Sequence, residues 1–341
     1  MRITYVLPYP ELGGGVKVAL QHAALLRRQG FEVNVLGEGP APDWAGLEVP
    51  YHDYSGGLPS LPEQDLVIAT FYTTIAVARD LRLGPIAHFC QGYEGGLVHL
   101  APAVPEIEAA YALDLPTLVV TPALGELLRT RFGRESAVVP PPLDPLFRPL
   151  PVWSRSWRPR RAPQVAVPGI FEAEVKGVPT ALAALASLKA RGRGCRVLRF
   201  SLLALSAGER RLLEPDRYLR AAPPAEIAAA LRECDLLLLP SRAEEGFGLP
   251  LLEAMASGVP AVASRIPSTE YIGGAAALVA PGDAEGFATA AAELLDDARA
   301  WRRARRRGLA AALRFRPEEI APRLAEAVRW AAGRKAPALS S

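Results

Sequence analysis

The sequence predicts an α/β chain built from two doubly wound parallel sheets that face each other across a cleft. Three observations carry that expectation. Short apolar runs of strand length alternate with longer helical patterns in both halves of the chain. The alternation breaks once, at a proline-rich run from Pro140 to Pro163, and then restarts. The length, 341 residues, is enough for two domains that each bury a core. Alternating strand and helix patterns favour parallel sheets with helices on both faces, and the cleft between two such sheets is the default ligand site.

In the first half, Arg2 to Leu7 (RITYVL) reads as a strand, Gly13 to Gly15 as a loop, and Val16 to Gln29 as a helix ended by Gly30. Glu32 to Leu36 completes a βαβ start. Further strands are expected at Leu66 to Thr70, Ile86 to Cys90 and Leu118 to Thr121, with helices at Thr74 to Arg82 and Pro122 to Phe132. Past the proline-rich run come a strand at Val165 to Val167, a helix from Pro179 to Ala190 and strands at Val197 to Ser201 and near Tyr218 to Arg220. A helix at Ala225 to Cys234 precedes the strand Asp235 to Leu239. A last helix is expected at Glu318 to Ala332, with a frayed tail from Lys335 to Ser341.

The most informative stretch is Ser241 to Pro260, SRAEEGFGLPLLEAMASGVP. Gly246 and Gly248 allow a tight backbone path, and Pro250 suits the first turn of a helix, where its missing N–H is not needed. The helix therefore starts near Leu249 and stops at Gly258. Its free N–H groups and positive dipole end point out over the carboxyl end of the preceding strand, where open α/β sheets bind phosphorylated ligands. Glu245 lies in the loop and Glu253 one turn into the helix. Two acceptors flanking such a helix start suit a ligand with hydroxyls on both sides of its phosphates, as in a sugar nucleotide. Two glutamates at this spacing could instead share the solvated face of one helix, but the glycines and the proline break a continuous helix between them.

Composition narrows the field. A hydrophobic share of 50% with 22% charged residues fits a soluble globular chain and excludes a disordered one. The net charge of +3 lacks the dominant basic face of a nucleic-acid protein. Trp301 to Arg307 (WRRARRR) is the densest basic cluster and reads as a solvated helix face, with contact to an anionic membrane surface or acidic acceptor as the second reading. Cys90, Cys195 and Cys234 are odd in number and far apart, which suggests reduced structural cysteines and a cytoplasmic location. Met1 to Leu7 has no signal-peptide pattern, and no run approaches the roughly 20 apolar residues of a membrane span. At most, peripheral association with the cytoplasmic face of a membrane is expected.

The segment EGFGLPLLE followed by AMASGVP resembles the signature of the GT-B glycosyltransferases, specifically the large retaining family 4, in which two glutamates stand on either side of seven residues. The resemblance extends over nearly the whole chain. It implies a GT-B fold of two Rossmann-like domains: residues 1–143 on the acceptor side, 144–316 binding the nucleotide sugar, and 317–341 as a helix and short tail crossing back to the first domain. It further implies that Glu253 accepts hydrogen bonds from the ribose hydroxyls and Glu245 from the transferred sugar. The backbone of Phe247, Gly248 and Leu249, on the path that Gly246 permits, would face sugar and phosphates. Backbone from Tyr218 and Leu219 to Ala221 would meet the nucleobase. Lys176, one of four lysines in the chain, stands where the family places a lysine against the donor diphosphate. Gly14 and Gly15, with Pro8 and Gly13, look like the amino-terminal glycine loop of the family, and they lack the spacing of a dinucleotide fingerprint. VVPPPLDPLFRP resembles the interdomain motif, with Asp144 and Phe147 at the hinge in structural roles.

Two departures stand out. Gly169, Ile170 and Phe171 occupy the place where many relatives carry an arginine as a second diphosphate contact. Gln91 takes the position of a histidine beside the reacting sugar, which leaves His88 as a strand or core residue. Gln91, Tyr93 and Glu94 in sequence resemble a subset of the family that builds rhamnose-containing or related polysaccharides. Gln91, Glu94 and His99 are the acceptor-side candidates.

No Asp-x-Asp pair and no histidine and cysteine cluster occurs, so no metal and no cofactor is expected. The reading is a retaining transferase moving a sugar from a nucleotide-sugar donor to a hydroxyl of a carbohydrate, lipid-linked or small-molecule acceptor. A nucleotide-sugar 2-epimerase and a noncatalytic ligand-binding protein of the same fold are the alternatives. A dehydrogenase is disfavoured by the missing glycine fingerprint.

Overall fold

The computed structural model describes residues 1–151 and 162–334. The part of the proline-rich connection from 152 to 161 and the tail from Lys335 to Ser341 lie outside the described residues. The chain divides into two units, one of Met1–Pro142 with the residues from Pro317 onward, the other of Leu143–Arg316.

The first unit opens with β1 (Arg2–Leu7), α1 (Gly14–Arg28), β2 (Glu32–Gly37), β3 (Tyr51–Asp53) and β4 (Leu66–Ala69). It continues with α2 (Tyr72–Leu81), β5 (Ile86–Cys90), α3 (Val104–Tyr111), β6 (Thr117–Val119), α4 (Pro122–Phe132) and β7 (Ser136–Val138). The second unit runs through β8 (Gln164–Pro168), α5 (Val178–Ala190), β9 (Arg196–Ser201), α6 (Ala207–Leu212), β10 (Arg217–Arg220) and α7 (Pro224–Arg232). Then follow β11 (Leu236–Leu239), α8 (Leu249–Ala256), β12 (Ala261–Ser264), α9 (Pro267–Ile272), β13 (Ala277–Val279), α10 (Ala284–Asp296) and α11 (Ala298–Ala312). The last helix, α12 (Pro317–Ala332), belongs to the first unit.

Local chemistry explains where these elements begin and end. In α4, Thr121 accepts a hydrogen bond from the Leu124 N–H at 3.3 Å, Pro122 fills the first helical position, and Gly133 ends the helix at φ 67°. The strands read as apolar runs because both faces of a parallel sheet are covered; β11 is four leucines, all buried.

The sheets are parallel and doubly wound. Their strand orders are β3-β2-β1-β4-β5-β6-β7 and β10-β9-β8-β11-β12-β13. Chain direction across the sheet reverses between β1 and β4 in one and between β8 and β11 in the other. Loops leaving adjacent strands at such a switch point diverge to opposite faces and open a crevice at the carboxyl ends, where ligands of open α/β sheets bind. The second sheet is held by Val165, Val167, Leu236, Leu238 and Val262 packing on Leu182, Leu185, Phe287 and Leu295, all buried. Each such side chain contributes roughly 1.5–3 kcal/mol.

Some elements differ from the sequence reading. Gly14 and Gly15 form the first turn of α1 rather than a loop, with the Lys17 N–H donating to the Gly13 carbonyl at 2.9 Å. Glycine disfavours helices, but Gln91 crowds this position: a Cβ on Gly15 would lie 3.2 Å from Gln91 Nε2, so the glutamine would have to shift. The strands β3, β7, β12 and β13 and the helices α3, α6, α9 and α10 were not predicted.

The arginine-rich cluster is not uniformly solvated. Trp301 and Arg305 of α11 are buried, whereas Arg302, Arg303, Arg306 and Arg307 are exposed. Trp301 Nε1 donates to the Asp235 carbonyl at 2.7 Å, and Arg305 donates to that of Gly258. The cluster caps carbonyls at the amino-terminal end of β11 and the end of α8 as well as facing water. Within the first unit, α12 is tied to α1 by Gln29 Nε2 donating to the Ala321 carbonyl at 2.9 Å, and Arg329 lies over the Phe31 ring at 5.2 Å. Among the described residues no helix is long and apolar enough to cross a membrane.

Candidate active site

At the switch point of the second sheet, two loops meet. The loop after β8 ends in a short 3-10 turn, Glu174–Lys176, and passes through Gly177 into α5. Gly177 has φ 58°, and a Cβ there would run into the Pro240 carbonyl oxygen, so only glycine lets this loop sit against the end of β11. The loop after β11 carries Ser241 to Gly248, and Gly248 at φ 90° turns the chain into α8.

These loops place Lys176 and Glu245 together. Lys176 Nζ donates to both carboxylate oxygens of Glu245, at 2.8 and 3.0 Å, and Ser241 Oγ donates to one of them at 3.1 Å. The Glu245 side chain is 11% exposed and that of Lys176 37%. The same loops are joined a second time in the opposite sense. Arg242 Nη1 lies 3.4 Å from the Glu174 carboxylate, and the Arg242 N–H donates to the Val175 carbonyl at 2.8 Å.

The start of α8 supplies donors. The N–H groups of Phe247, Gly248 and Leu249 have no acceptor among the described residues. They sit where the helix dipole is positive, an arrangement that favours an anion. The Phe247 side chain is buried, 5.5 Å from the Phe315 ring and 6.5 Å from that of Tyr271, so its packing fixes the backbone that the helix start presents. Glu253 is half-buried in α8. At the carboxyl end of the edge strand β10, Tyr218 is half-buried with its hydroxyl donating to the Leu203 carbonyl at 2.9 Å, and Leu219 is buried. Ala221, just beyond, has φ 43°, a left-handed conformation that costs a non-glycine residue of order 1 kcal/mol.

Comparisons with known proteins bear on the fold and the class of enzyme. Residues 162–297, the part of the second unit from β8 through α10, match the family described as Glycosyl transferases group 1. Over 87% of its length the chain is 28% identical to the phosphatidyl-myo-inositol mannosyltransferase of Mycolicibacterium smegmatis, covering 85% of that protein. The chain is a glycosyltransferase of the GT-B fold. Further curated relatives match over shorter stretches, such as one of 84 residues that spans 18% of the relative. A sucrose-phosphate synthase from Thermosynechococcus elongatus shares the fold at a TM-score of 0.78, covering 96% of this chain and 98% of that one at 18% identity. The Anabaena protein HepE, determined in complex with UDP and glucose, shares it at 0.76, over 96% and 99% at 18% identity.

In the first unit of the glycosyltransferase the structure brings Gln91 and Gly15 together, with Gln91 Nε2 donating to the Gly15 carbonyl at 3.0 Å. Gly14 is exposed beside them. His99 is exposed. Glu94 is placed differently from the expectation of an acceptor-facing group. It is buried, and the Tyr111 hydroxyl donates to its carboxylate. His88 is wholly buried, its Nδ1 3.0 Å from Nη1 of the buried Arg134. Asp144 accepts from the N–H groups of Leu146 and Phe147 at 3.0 Å each, and Phe147 is buried.

Burial raises the Glu94 carboxyl to about 7, opposed by the hydrogen bonds from Tyr111 and from the Tyr72 backbone and by the charge of Arg134. The folded chain thus keeps a proton that the unfolded chain has released, in the window from the ordinary carboxylate range up to about pH 7. Stability contributed by this site falls as pH rises through that window. In Glu94→Gln the decline in melting temperature between about pH 5 and about pH 8 is expected to be smaller than in the wild type, read by thermal unfolding at each pH. An identical decline would show that Glu94 is not the group responsible.

Sequence reasoning missed Ser241 and Glu174, although a serine directly after an apolar run at a strand's carboxyl end is a usable signal. It also missed Arg199. This residue of β9 is wholly buried and paired with the equally buried Glu209 of α6. Its guanidinium donates to the carbonyls of Val167 at 2.6 Å and Gly169 at 2.8 Å. Gly169 in turn packs on the Lys176 stem: a Cβ there would lie 3.1 Å from Lys176 Cβ.

Proposed function

We propose that the enzyme transfers a glycosyl group from a nucleotide-sugar donor to an acceptor hydroxyl, with retention of anomeric configuration and without a metal ion. One observation carries the reading: an ammonium and unpartnered helix-start N–H groups stand at the carboxyl end of a doubly wound sheet, flanked by Glu245 and Glu253. The diphosphate lies against Lys176 and the N–H groups of Phe247, Gly248 and Leu249. Glu253 accepts from the ribose hydroxyls and Glu245 from hydroxyls of the transferred sugar. Backbone near Tyr218 and Leu219 meets the base. That HepE was determined with UDP and glucose on the same fold supports a donor of this class.

As the bond from the anomeric carbon to the phosphate oxygen breaks, negative charge gathers on the departing diphosphate. Lys176 and the helix start stabilise it in place of a cation. The acceptor oxygen bonds to the anomeric carbon on the face the diphosphate leaves, and its proton passes to the departing phosphate oxygen. Transfer activity is therefore expected to survive dialysis against EDTA, and abolition restored by a divalent cation would overturn the metal-independent reading.

The test of the donor class is a thermal-shift screen with UDP, GDP, dTDP and ADP sugars. A ligand at about 100 times its dissociation constant adds about 2.7 kcal/mol to the folded state, a readable shift. Glu253→Ala is expected to weaken the donor that responds by about tenfold or more, the worth of charge-assisted hydrogen bonds. Equal affinity would remove Glu253 from the donor site.

A further inference from the structure

Resting on the donor site just described, the ion pair at its centre points to a second role for Glu245: we propose that this carboxylate is the built-in competitor of the diphosphate for Lys176, so that a sugar-bearing donor is retained and the spent nucleoside diphosphate is released.

Both carboxylate oxygens of Glu245 are occupied by the Lys176 ammonium, at 2.8 and 3.0 Å, and one also by Ser241. A carboxylate so engaged has little left for a sugar hydroxyl, and an ammonium so engaged is neutralised before a phosphate arrives. The pair and the donor contacts compete for the same ammonium and the same carboxylate. The lysine stem packs on Gly169 and the glutamate is nearly buried, so each stays within reach of the other. Arg242, the other cation of these loops, is turned to Glu174 and leaves Glu245 to Lys176.

The consequence depends on the ligand. A nucleoside diphosphate that takes Lys176 leaves Glu245 buried with Ser241 as its remaining donor, which costs free energy. A nucleotide sugar brings hydroxyls that replace the lysine on Glu245, so the cost disappears. After transfer the sugar is gone, Glu245 again lacks its donors, and its attraction for Lys176 works against the bound diphosphate.

A carboxylate that only holds the sugar would, when neutralised, raise diphosphate affinity through lost repulsion alone, equally with and without Lys176. The competitor role demands a rise that requires Lys176, and an equal rise in the Lys176→Gln background overturns it. The experiment is calorimetric titration of UDP, GDP, ADP and dTDP, and of the sugar conjugate of whichever binds, into the wild type, Glu245→Gln, Glu245→Ala, Lys176→Gln and the Lys176→Gln/Glu245→Gln double variant. The diphosphate that binds the wild type is expected to bind Glu245→Gln and Glu245→Ala at least about threefold tighter, the scale of losing one ion-pair competitor. The advantage of the nucleotide sugar over the diphosphate shrinks by the same factor or more, and in the Lys176→Gln background the second substitution changes diphosphate affinity no further. Diphosphate affinity that stays equal or falls in both Glu245 variants overturns the proposal while leaving the donor site standing. A wild type that binds none of the diphosphates or their sugars overturns the donor site itself.

Discussion

Lys176→Ala is expected to lower turnover by about 10²- to 10³-fold, the usual effect of removing one preorganised group that stabilises charge developing in a transition state. Affinity for the donor falls less. The reason lies in when the charge appears. In the bound donor the diphosphate already carries charge, which the N–H groups of Phe247, Gly248 and Leu249 also meet. As the glycosidic bond breaks, more charge accumulates on the phosphate oxygens, and the interaction with an ammonium grows. A loss concentrated in turnover therefore reports an interaction stronger in the transition state than in the ground state. The substitution removes a half-exposed side chain paired with Glu245, so the fold should persist, which circular dichroism will show. Turnover unchanged from the wild type, in a folded variant, would take Lys176 out of the reaction.

Arg199→Leu is the substitution with the largest expected effect on stability. It leaves the Glu209 carboxylate, 1% exposed, without its guanidinium, and strips the carbonyls of Val167 and Gly169 of their donors. Breaking a buried pair by removing one partner costs about 3–5 kcal/mol, which for a unit of this size lowers Tm by on the order of 10 °C. The second variant, Arg199→Leu with Glu209→Leu, should recover much of that loss, because two apolar groups leave no uncompensated charge. Turnover of the single variant should fall even where it remains folded, since Gly169 is what the Lys176 stem packs on. A melting temperature equal to that of the wild type would mean that the Arg199 and Glu209 pair does not support the β8 loop.

The fold was largely legible because parallel strands buried on both faces leave mostly apolar runs, as in RITYVL and DLLLL, and because Gly30, Gly133 and Gly258 mark helix ends. What escaped was short or ambiguous. Strands such as Thr117–Val119 shift at their edges, and SAV or AVAS, three and four residues long, carry no periodicity to separate strand from helix. They are strands because neighbours supply the ladder, β12 between β11 and β13 for example. Propensity misled at Gly14 and Gly15, and at Gly15 a close approach by Gln91 favours glycine inside a helix.

The site divides along the same line. Glu245, the glycines around Phe247 and the α8 start were readable because they are contiguous in sequence. The contact between Lys176 and Glu245 joins residues 69 positions apart, and no local pattern announces it. Glu94, an acceptor-side candidate in the sequence, is instead buried, with the Tyr111 hydroxyl of α3 donating to it. The arginine expected near Gly169 has a structural counterpart in Arg199, which reaches the Gly169 carbonyl from below, on the neighbouring strand, while paired with Glu209.

The most direct measurement is a crystal structure of the enzyme soaked with the nucleotide sugar that gives the largest thermal shift. The donor-site reading predicts phosphate oxygens within hydrogen-bond distance of the N–H groups of Phe247, Gly248 and Leu249, with Lys176 turned from Glu245 onto the diphosphate and Glu253 on the ribose. A nucleotide sugar bound elsewhere, with the Lys176 and Glu245 pair intact and the start of α8 untouched, would contradict it.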